Sequence, residues 1–165
     1  MEGKGNDGSG NIPERDLWKT DPELWDFLNR QYNFNFDCCA DIHNRKTKIF
    51  SNNFENVTKT FLKDFVCWMN PPFSKARKMF EHFFKVVFKG VCIYRCDNME
   101  TKLWQEVILK NADWIFIPKG RVFYTPFEVG NMRGGNETRF PSALIGCNVD
   151  IPKNIDGTIL YPHRS

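Results

Sequence analysis

The feature that most constrains this chain is a short apolar run that ends abruptly at two prolines. Residues 65–69, Phe-Val-Cys-Trp-Met, have the length of a β-strand, and Asn70-Pro71-Pro72-Phe73 follows directly. Every position of the run is apolar, whereas a strand with one face in water alternates apolar and polar residues. The run therefore predicts a strand buried on both faces, as in a parallel sheet covered by helices on each side.

Helical patterns flank this strand. After the prolines, apolar residues recur at spacings of three and four, the pattern of a helix with one face on a core, and Ser74 is its predicted N-cap. These apolar residues are Ala76, Met79, Phe80, Phe83, Phe84 and Val87. An earlier helix is predicted to start at a capping box formed by Thr20 and Glu23 and to end near Asn33.

Further strands and one more helix complete the pattern. Strands are predicted at residues 33–38, 91–95, 114–117, 120–124 and 142–147, a helix at about 100–110, and a weaker strand at 48–51. This order favours a three-layer α/β/α sheet in one minimal domain over residues 15–165. Residues 1–14, which carry four Gly and no periodicity, are expected to form a disordered leader.

Composition and charge limit the classes of protein to which the chain can belong. The 165 residues carry a net charge of +3, which permits an anionic partner without requiring one. No apolar run approaches the roughly 18 residues of a membrane span, and the first residues lack the apolar segment of a secretion signal, so we expect a cytoplasmic protein with no membrane partner. The six cysteines form no CxxC pair, so we expect reduced, mostly buried thiols and no metal site.

The Asn70-Pro71-Pro72-Phe73 corner carries the chemistry. Ligands of open α/β sheets collect at the carboxyl ends of strands, where this corner lies. Proline lacks a backbone donor, so the corner offers carbonyl acceptors with little competition, while Asn70 adds an amide oxygen and Phe73 a flat ring. Such a site suits a planar amine, whose methylation by an activated sulfonium needs alignment more than a strong base. The alternative is a turn that only ends a strand.

Four stretches resemble the phage-type DNA N-6-adenine-methyltransferase family, which is Dam-like and S-adenosylmethionine-dependent. Residues 16–24, DLWKTDPEL, resemble an opening D-x-W-x-T-P segment, with Asp21 in place of the first proline. Residues 36–40, FDCCA, resemble the family's F-x-L-D-A-C-A stretch, with Cys38 at a small-residue position. Residues 70–74, NPPFS, resemble the catalytic N-P-P-Y-S, and residues 120–123, GRVF, resemble a late G-R-[IV]-x-F element.

The resemblance implies a Rossmann-like class I methyltransferase fold, S-adenosylmethionine as the cofactor, and the amino group of an adenine in double-stranded DNA as the acceptor. The implied catalytic residues are Asn70, Pro71, Pro72 and Phe73. The implied cofactor-binding residues are Trp18, Thr20, Asp37, Cys38, Ala40 and Asn70. Asp37 would reach toward the methionine amino group, and for the acid that binds the ribose Glu55 and Asp64 stay open. A solvated carboxylate at Asp37 and a packed ring at Trp18 are the alternatives.

An adenine inside duplex DNA is stacked, so such an enzyme must flip the base, and backbone contacts must help to offset the cost. The candidate DNA-binding residues are Arg121, Arg133, Arg139 and Ser74. Two of the arginines lie in residues 124–139, a glycine-containing stretch that is either a DNA-contact loop or an ordinary surface loop. The basic residues Lys75, Arg77, Lys78 and Lys85 form a second candidate surface or a solvated helix face. We expect a short or relaxed recognition sequence and a monomer or homodimer, in the host cytoplasm if the gene is phage-borne.

Two other functions fit part of the pattern. The same corner suits an adenine in RNA or a glutamine side-chain amide, because both are planar groups that bear an amino group. A catalytically silent nucleic-acid-binding module is the third alternative, favoured by Asp21 and by the missing glycine-rich loop after Asp37. The three histidines, His43, His82 and His163, belong to no acid–base set and are expected at the surface.

Overall fold

The computed structural model describes residues 19–120, 123–125, 136–137 and 141–163. Its main element is a six-stranded sheet with the order β2-β3-β4-β8-β5-β9. The strands of this sheet are β2 Phe36–Asp37, β3 Val66–Met69, β4 Lys89–Arg95, β5 Trp114–Pro118, β8 Ser142–Cys147 and β9 Gly157–Leu160. A smaller sheet has the order β1-β6-β7, with β1 Lys19–Thr20, β6 Phe123–Thr125 and β7 Asn136–Glu137.

The large sheet is parallel on one side and mixed on the other. Strands β2, β3 and β4 run parallel, as the apolar run at residues 65–69 predicted. Strand β8 lies between β4 and β5 and runs antiparallel to both, and β9 pairs antiparallel with β5. Because β2 and β3 are parallel neighbours, their carboxyl ends open at the same edge of the sheet.

Helices pack on both faces of the large sheet, which is compatible with the predicted mixed α/β fold. Helix α1, Pro22–Tyr32, packs through Trp25 and Leu28 on the face that carries Trp68. Helix α2, Ala76–Val86, packs on the opposite face together with a π-helical segment, Leu103–Ile108, that continues into helix α3, Leu109–Asn111. Neighbouring residues of β3, β4, β5 and β8 thus enter different cores, so these strands show no polar alternation.

The start of α1 differs from the prediction. Asp21, not Thr20, is the N-cap, and its Oδ2 accepts hydrogen bonds from the amide of Glu23 at 3.0 Å and of Leu24 at 3.4 Å. An aspartate caps as well as a threonine and also places negative charge at the helix N-terminus. Thr20 is therefore released to strand β1. The helix ends at Asn33 in the left-handed conformation, φ 56°, as expected.

The start of α2 also differs. Ser74 does not cap it: residues Phe73–Lys75 form a 3₁₀ turn, and the N-cap position falls on Lys75, which makes no side-chain capping bond. The apolar stripe is confirmed, with Ala76, Met79, Phe80 and Phe83 buried.

Outside these helices, two short 3₁₀ turns, Phe54–Asn56 and Phe61–Asp64, occupy the stretch between β2 and β3. The weaker strand predicted at residues 48–51 is a single parallel bridge between Phe50 and Asp37. The edge strand β9 was not predicted. The cysteines are free thiols, and Cys67, Cys92 and Cys147 are buried, as expected, whereas Cys96 is half-buried.

In the part of the chain that the structure describes, no helix is long and apolar enough to cross a membrane. Within the same residues, no group of three or more His, Cys, Asp or Glu side chains is arranged to hold a metal ion. The predicted leader at residues 1–14 lies outside the described residues.

Candidate functional site

A cavity of about 210 Å³ lies at the carboxyl ends of β2 and β3. It gathers the predicted residues Thr20, Asp37, Cys38, Ala40, Asn70 and Pro72. Strand β2 ends at Asp37, and Asp37 is paired in register with Trp68 one residue before the end of β3. The topology therefore brings two stretches that are more than thirty residues apart in the sequence to the two sides of one opening.

The prolyl corner leaves the sheet at once. Pro71 is buried, and Pro72 has the extended conformation, φ −64° and ψ 137°, from which the 3₁₀ turn of residues 73–75 begins. Two consecutive residues without an N–H group end the ladder of β3, because neither can donate a hydrogen bond to a neighbouring strand. The corner thus fixes Asn70 at the rim of the cavity.

Asn70 contacts the small sheet. Its side-chain Nδ2 donates a hydrogen bond to Oγ1 of Thr20 at 3.1 Å, and Thr20 is 1% exposed. The bond orients the amide group of Asn70 and ties β1 to the end of β3. The release of Thr20 from the role of helix cap is what makes this contact available.

Asp37 is the buried acid of the site. It is 2% exposed, and its carboxylate accepts hydrogen bonds from the amide of Lys46 at 2.9 Å and of Cys39 at 3.4 Å. Burial raises the pKa of Asp37 to about 7, although both amides and the charge of Lys46 act in the opposite direction. The reading of Asp37 as a solvated strand-end carboxylate is therefore wrong. A cation bound in the cavity would favour its ionised form.

Lys46 is a residue of the site that sequence reasoning missed. It lines the cavity, its Nζ donates to the backbone carbonyl of Thr20 at 3.0 Å, and the ammonium lies 6.0 Å from the centroid of the Trp25 ring. It comes from residues 41–64, a polar stretch without periodicity. The only signal in the sequence was a run of cations a few residues after the acid that ends β2.

Of the two acids considered as ribose ligands, Glu55 lies at the cavity and Asp64 does not. Glu55 lines the cavity and pairs with Lys78, with 3.4 Å between Oε2 and Nζ. Buried Phe54 anchors the 3₁₀ turn that carries Glu55. Asp64 is exposed and does not line the cavity.

Phe73 lies beside the cavity and does not line it. Its half-buried ring meets the ring of Tyr94 edge to face, with centroids 5.6 Å apart and planes at 85°. The guanidinium carbon of Arg95 lies 5.7 Å from the centroid of the Phe73 ring. Arg95 is itself held by two hydrogen bonds to the carboxylate of Asp97, at 2.7 and 2.6 Å. The end of β4 thus fixes the aromatic member of the corner.

Several other predicted residues have defined positions. Lys75, Arg77, Lys78 and Lys85 are exposed, as predicted. Arg77 pairs with Glu81 at 3.2 Å and Glu106 at 3.1 Å. His43 and His163 are exposed, but His82 is half-buried, with its Nε2 2.8 Å from the carbonyl oxygen of Val57. Trp18, Arg121, Arg133 and Arg139 lie outside the described residues, as does most of the stretch 124–139.

Comparison with known proteins gives two matches. A family model described as DNA N-6-adenine-methyltransferase (Dam) matches residues 9–145. A DNA N-6-adenine-methyltransferase of Haemophilus phage HP1 (strain HP1c1) is 25% identical over 122 residues, which cover 71% of this chain and 70% of that protein. The residues matched by the family model include the whole lining of the cavity.

Proposed function

Since the chain belongs to the DNA N-6-adenine-methyltransferase (Dam) family, we propose that it transfers a methyl group from S-adenosylmethionine to the N6 amino group of an adenine in double-stranded DNA. The observation that carries the proposal is the bond between Asn70 and Thr20, which holds the prolyl corner against the cavity that contains the buried carboxyl of Asp37. One opening thereby unites an amine-binding corner and an acid suited to a cationic ligand.

The fold in this proposal is the Rossmann-like class I methyltransferase fold, in a domain over residues 15–165. Its support is the parallel set β2-β3-β4, the helices on both faces, and a cavity at the carboxyl ends of parallel strands, where open α/β sheets bind ligands.

The donor set of the cavity fits the proposed cofactor. Asp37 would pair with the methionine ammonium, Glu55 would accept hydrogen bonds from the ribose hydroxyls, and Met79 adds apolar lining. Thr20, Cys38 and Ala40 complete the wall, and Trp18 is proposed to join it. S-adenosylmethionine, when bound, supplies a methyl group on a positively charged sulfur. This sulfur is a good leaving group, because it becomes a neutral thioether when the methyl group is transferred.

The remaining chemistry belongs to Asn70 and Pro71. The side-chain oxygen of Asn70 and the backbone carbonyl oxygen of Pro71 would accept hydrogen bonds from the two N–H groups of the adenine amine. This arrangement withdraws the nitrogen lone pair from the ring and stabilises the positive charge that builds on nitrogen as the methyl group arrives. The extra proton then leaves to water, so a strong base is not required.

The base has to reach the corner from outside the duplex. Flipping costs a few kcal/mol, and stacking of the base on the half-buried ring of Phe73 would offset part of it, since base–aromatic stacking contributes about 1–3 kcal/mol per base. Arg121, Arg133, Arg139 and Ser74 are the proposed contacts to the DNA, acting in a monomer or homodimer. These contacts would make binding weaker as salt rises.

The test is transfer of tritiated methyl groups from S-adenosylmethionine to duplex DNA by the wild type and by Asn70→Ala. We expect the variant to lose at least about 100-fold in turnover, the usual scale for a lost polar contact to a reacting group, while its thermal unfolding stays near that of the wild type. Asn56→Ala is the matched control, because Asn56 is exposed and does not line the cavity.

Full activity of Asn70→Ala would overturn the catalytic assignment. Parallel reactions with single-stranded RNA and with protein substrates test the other acceptors. Binding of DNA without transfer to any substrate would instead favour the nucleic-acid-binding module.

A further inference from the structure

One wall of the cavity carries opposite charges side by side. The backbone amide of Lys46 donates to the carboxylate of Asp37 at 2.9 Å, and the Lys46 side chain turns toward the backbone carbonyl of Thr20, 3.0 Å from Nζ. Lys46, which lines the cavity, therefore contacts the acid through its main chain and places its ammonium group beside Thr20, another residue of the lining. Both groups lie on the side of the cavity formed by β1 and β2.

We propose that Lys46 binds the carboxylate of the amino-acid part of the ligand, while Asp37 binds its ammonium group, so that the two form a clamp for a zwitterion. The inference rests on the proposed function and deepens it, because it assigns a basic residue to the methionine carboxylate of the cofactor. The resemblance implied no partner for that carboxylate. Charge-assisted hydrogen bonds are the strong ones in such sites, and an ammonium on a fixed anchor loses little freedom when it forms one.

The anchoring of Lys46 distinguishes it from Lys75, a second cation among the described residues that line the cavity. Lys75 also lines the opening, but it is exposed and stands at the start of α2, on the side of the prolyl corner. Lys46 is half-buried and lies over the ring of Trp25. A half-buried ammonium attracts a carboxylate more strongly than an exposed one, because water screens it less.

A purely structural role for Lys46 makes a different prediction. If its ammonium served only to tie β1 to the large sheet through Thr20, its loss would weaken every ligand of the cavity alike. If it binds the carboxylate, its loss would weaken only ligands that carry one. The ligand's carboxylate is therefore the variable to change together with the residue.

The experiment measures, by isothermal titration, the affinity of two ligands for wild type, Lys46→Met and the control Lys48→Met, since Lys48 is exposed and does not line the cavity. The ligands are S-adenosylhomocysteine and its decarboxylated analogue, which keeps the ammonium group. We expect Lys46→Met to bind S-adenosylhomocysteine about 10- to 100-fold more weakly, the scale of one hydrogen bond between charged groups, and to bind the analogue within about threefold of wild type. Lys48→Met should bind both ligands like the wild type, and Lys46→Arg should recover part of the loss.

An equal loss for both ligands, or no loss, overturns the role of Lys46 and leaves the proposed function standing. Failure of the wild type to bind either ligand overturns the proposed function and this inference together. Should Lys46→Met not fold, the wild type alone decides: a preference for S-adenosylhomocysteine over the analogue of less than about threefold contradicts the clamp, and one of tenfold or more supports it.

Discussion

At the scale of single residues, Asp37 shows how burial creates a group that titrates near neutral pH. Its pKa is about 7 in the folded protein against an ordinary value of 3.8, because the carboxyl is 2% exposed. Between these two pH values the folded protein keeps a proton that the unfolded chain has released. The free energy of unfolding therefore falls as pH rises: the contribution is fully present below pH 3.8 and is lost as pH passes about 7.

Asp37→Asn removes this dependence. Urea unfolding at about pH 4.5, 6 and 7.5 should show the stability of the wild type falling relative to the variant by on the order of a few kcal/mol across the series. The comparison uses the difference between the two proteins, since every other titrating group is common to both. Parallel curves for the two proteins would mean that the carboxyl is ionised throughout.

The sequence already located Asn70 and Asp37, because each ends a strand whose apolar or alternating pattern is local. The resemblance of residues 16–24 implied that Thr20 binds the cofactor, and Thr20 does line the cavity. The local pattern also predicted Thr20 as the helix cap, because Thr20-Asp21-Pro22-Glu23 offers two capping residues in a row. Which of the two caps depends on the pairing of Thr20 with Tyr124, a strand partner about a hundred residues away. No local pattern contains that information.

At the scale of elements, β8 depends on a glycine. Gly146 faces Trp114 across the antiparallel pair, and a Cβ at this position would lie 2.0 Å from Cε2 of the indole. The indole is also held by its Nε1, which donates to the carbonyl of Val149 at 2.7 Å. Because the ring is buried and anchored, it has little room to move aside.

Gly146→Ala should therefore cost about 3 kcal/mol in the free energy of unfolding, as overpacking of a tight core does. The measurement is chemical denaturation of the single variant and of the double variant Gly146→Ala/Trp114→Phe. We expect the cost of the alanine to shrink in the second background, because the smaller ring leaves space for the methyl group. An equal cost in both backgrounds would place the strain in the backbone of β8.

Each element that the sequence failed to predict has its own physical reason. The stretch between β2 and β3 is organised by bonds to the backbone of Asp37, whose amide donates to Ile49 at 3.1 Å and whose carbonyl accepts from Ser51 at 2.9 Å. Such bonds leave no periodic mark in the sequence. The segment Leu103–Ile108 keeps the apolar spacing of an α-helix while forming a π-helix, since both present Trp104 and Val107 to the core. Strand β9 is mostly exposed, so it lacks an apolar pattern.

At the scale of the whole molecule, the cavity lies where the two sheets meet. Thr20 of β1 contacts residues across this junction: its Oγ1 accepts a hydrogen bond from Asn70, and its carbonyl accepts one from Lys46. Strand β1 has two residues, so it contributes little pairing of its own. A ligand that touches Thr20, Asp37 and Asn70 at once would therefore add a connection between the sheets.

This arrangement predicts where a ligand will slow hydrogen exchange. With S-adenosylhomocysteine at about 100 times its dissociation constant, mass action alone adds about 2.7 kcal/mol to the stability of the bound state against any opening that releases the ligand. Openings of β1 release it, so the amides of Lys19 and Thr20 should exchange markedly more slowly in the complex. Strand β9 lies at the far edge of the large sheet, and its local fraying leaves the cavity intact. Its amides are thus the internal control and should exchange at their original rates. Slower exchange around Asp37 with unchanged exchange in β1 would show that the ligand binds to the large sheet alone.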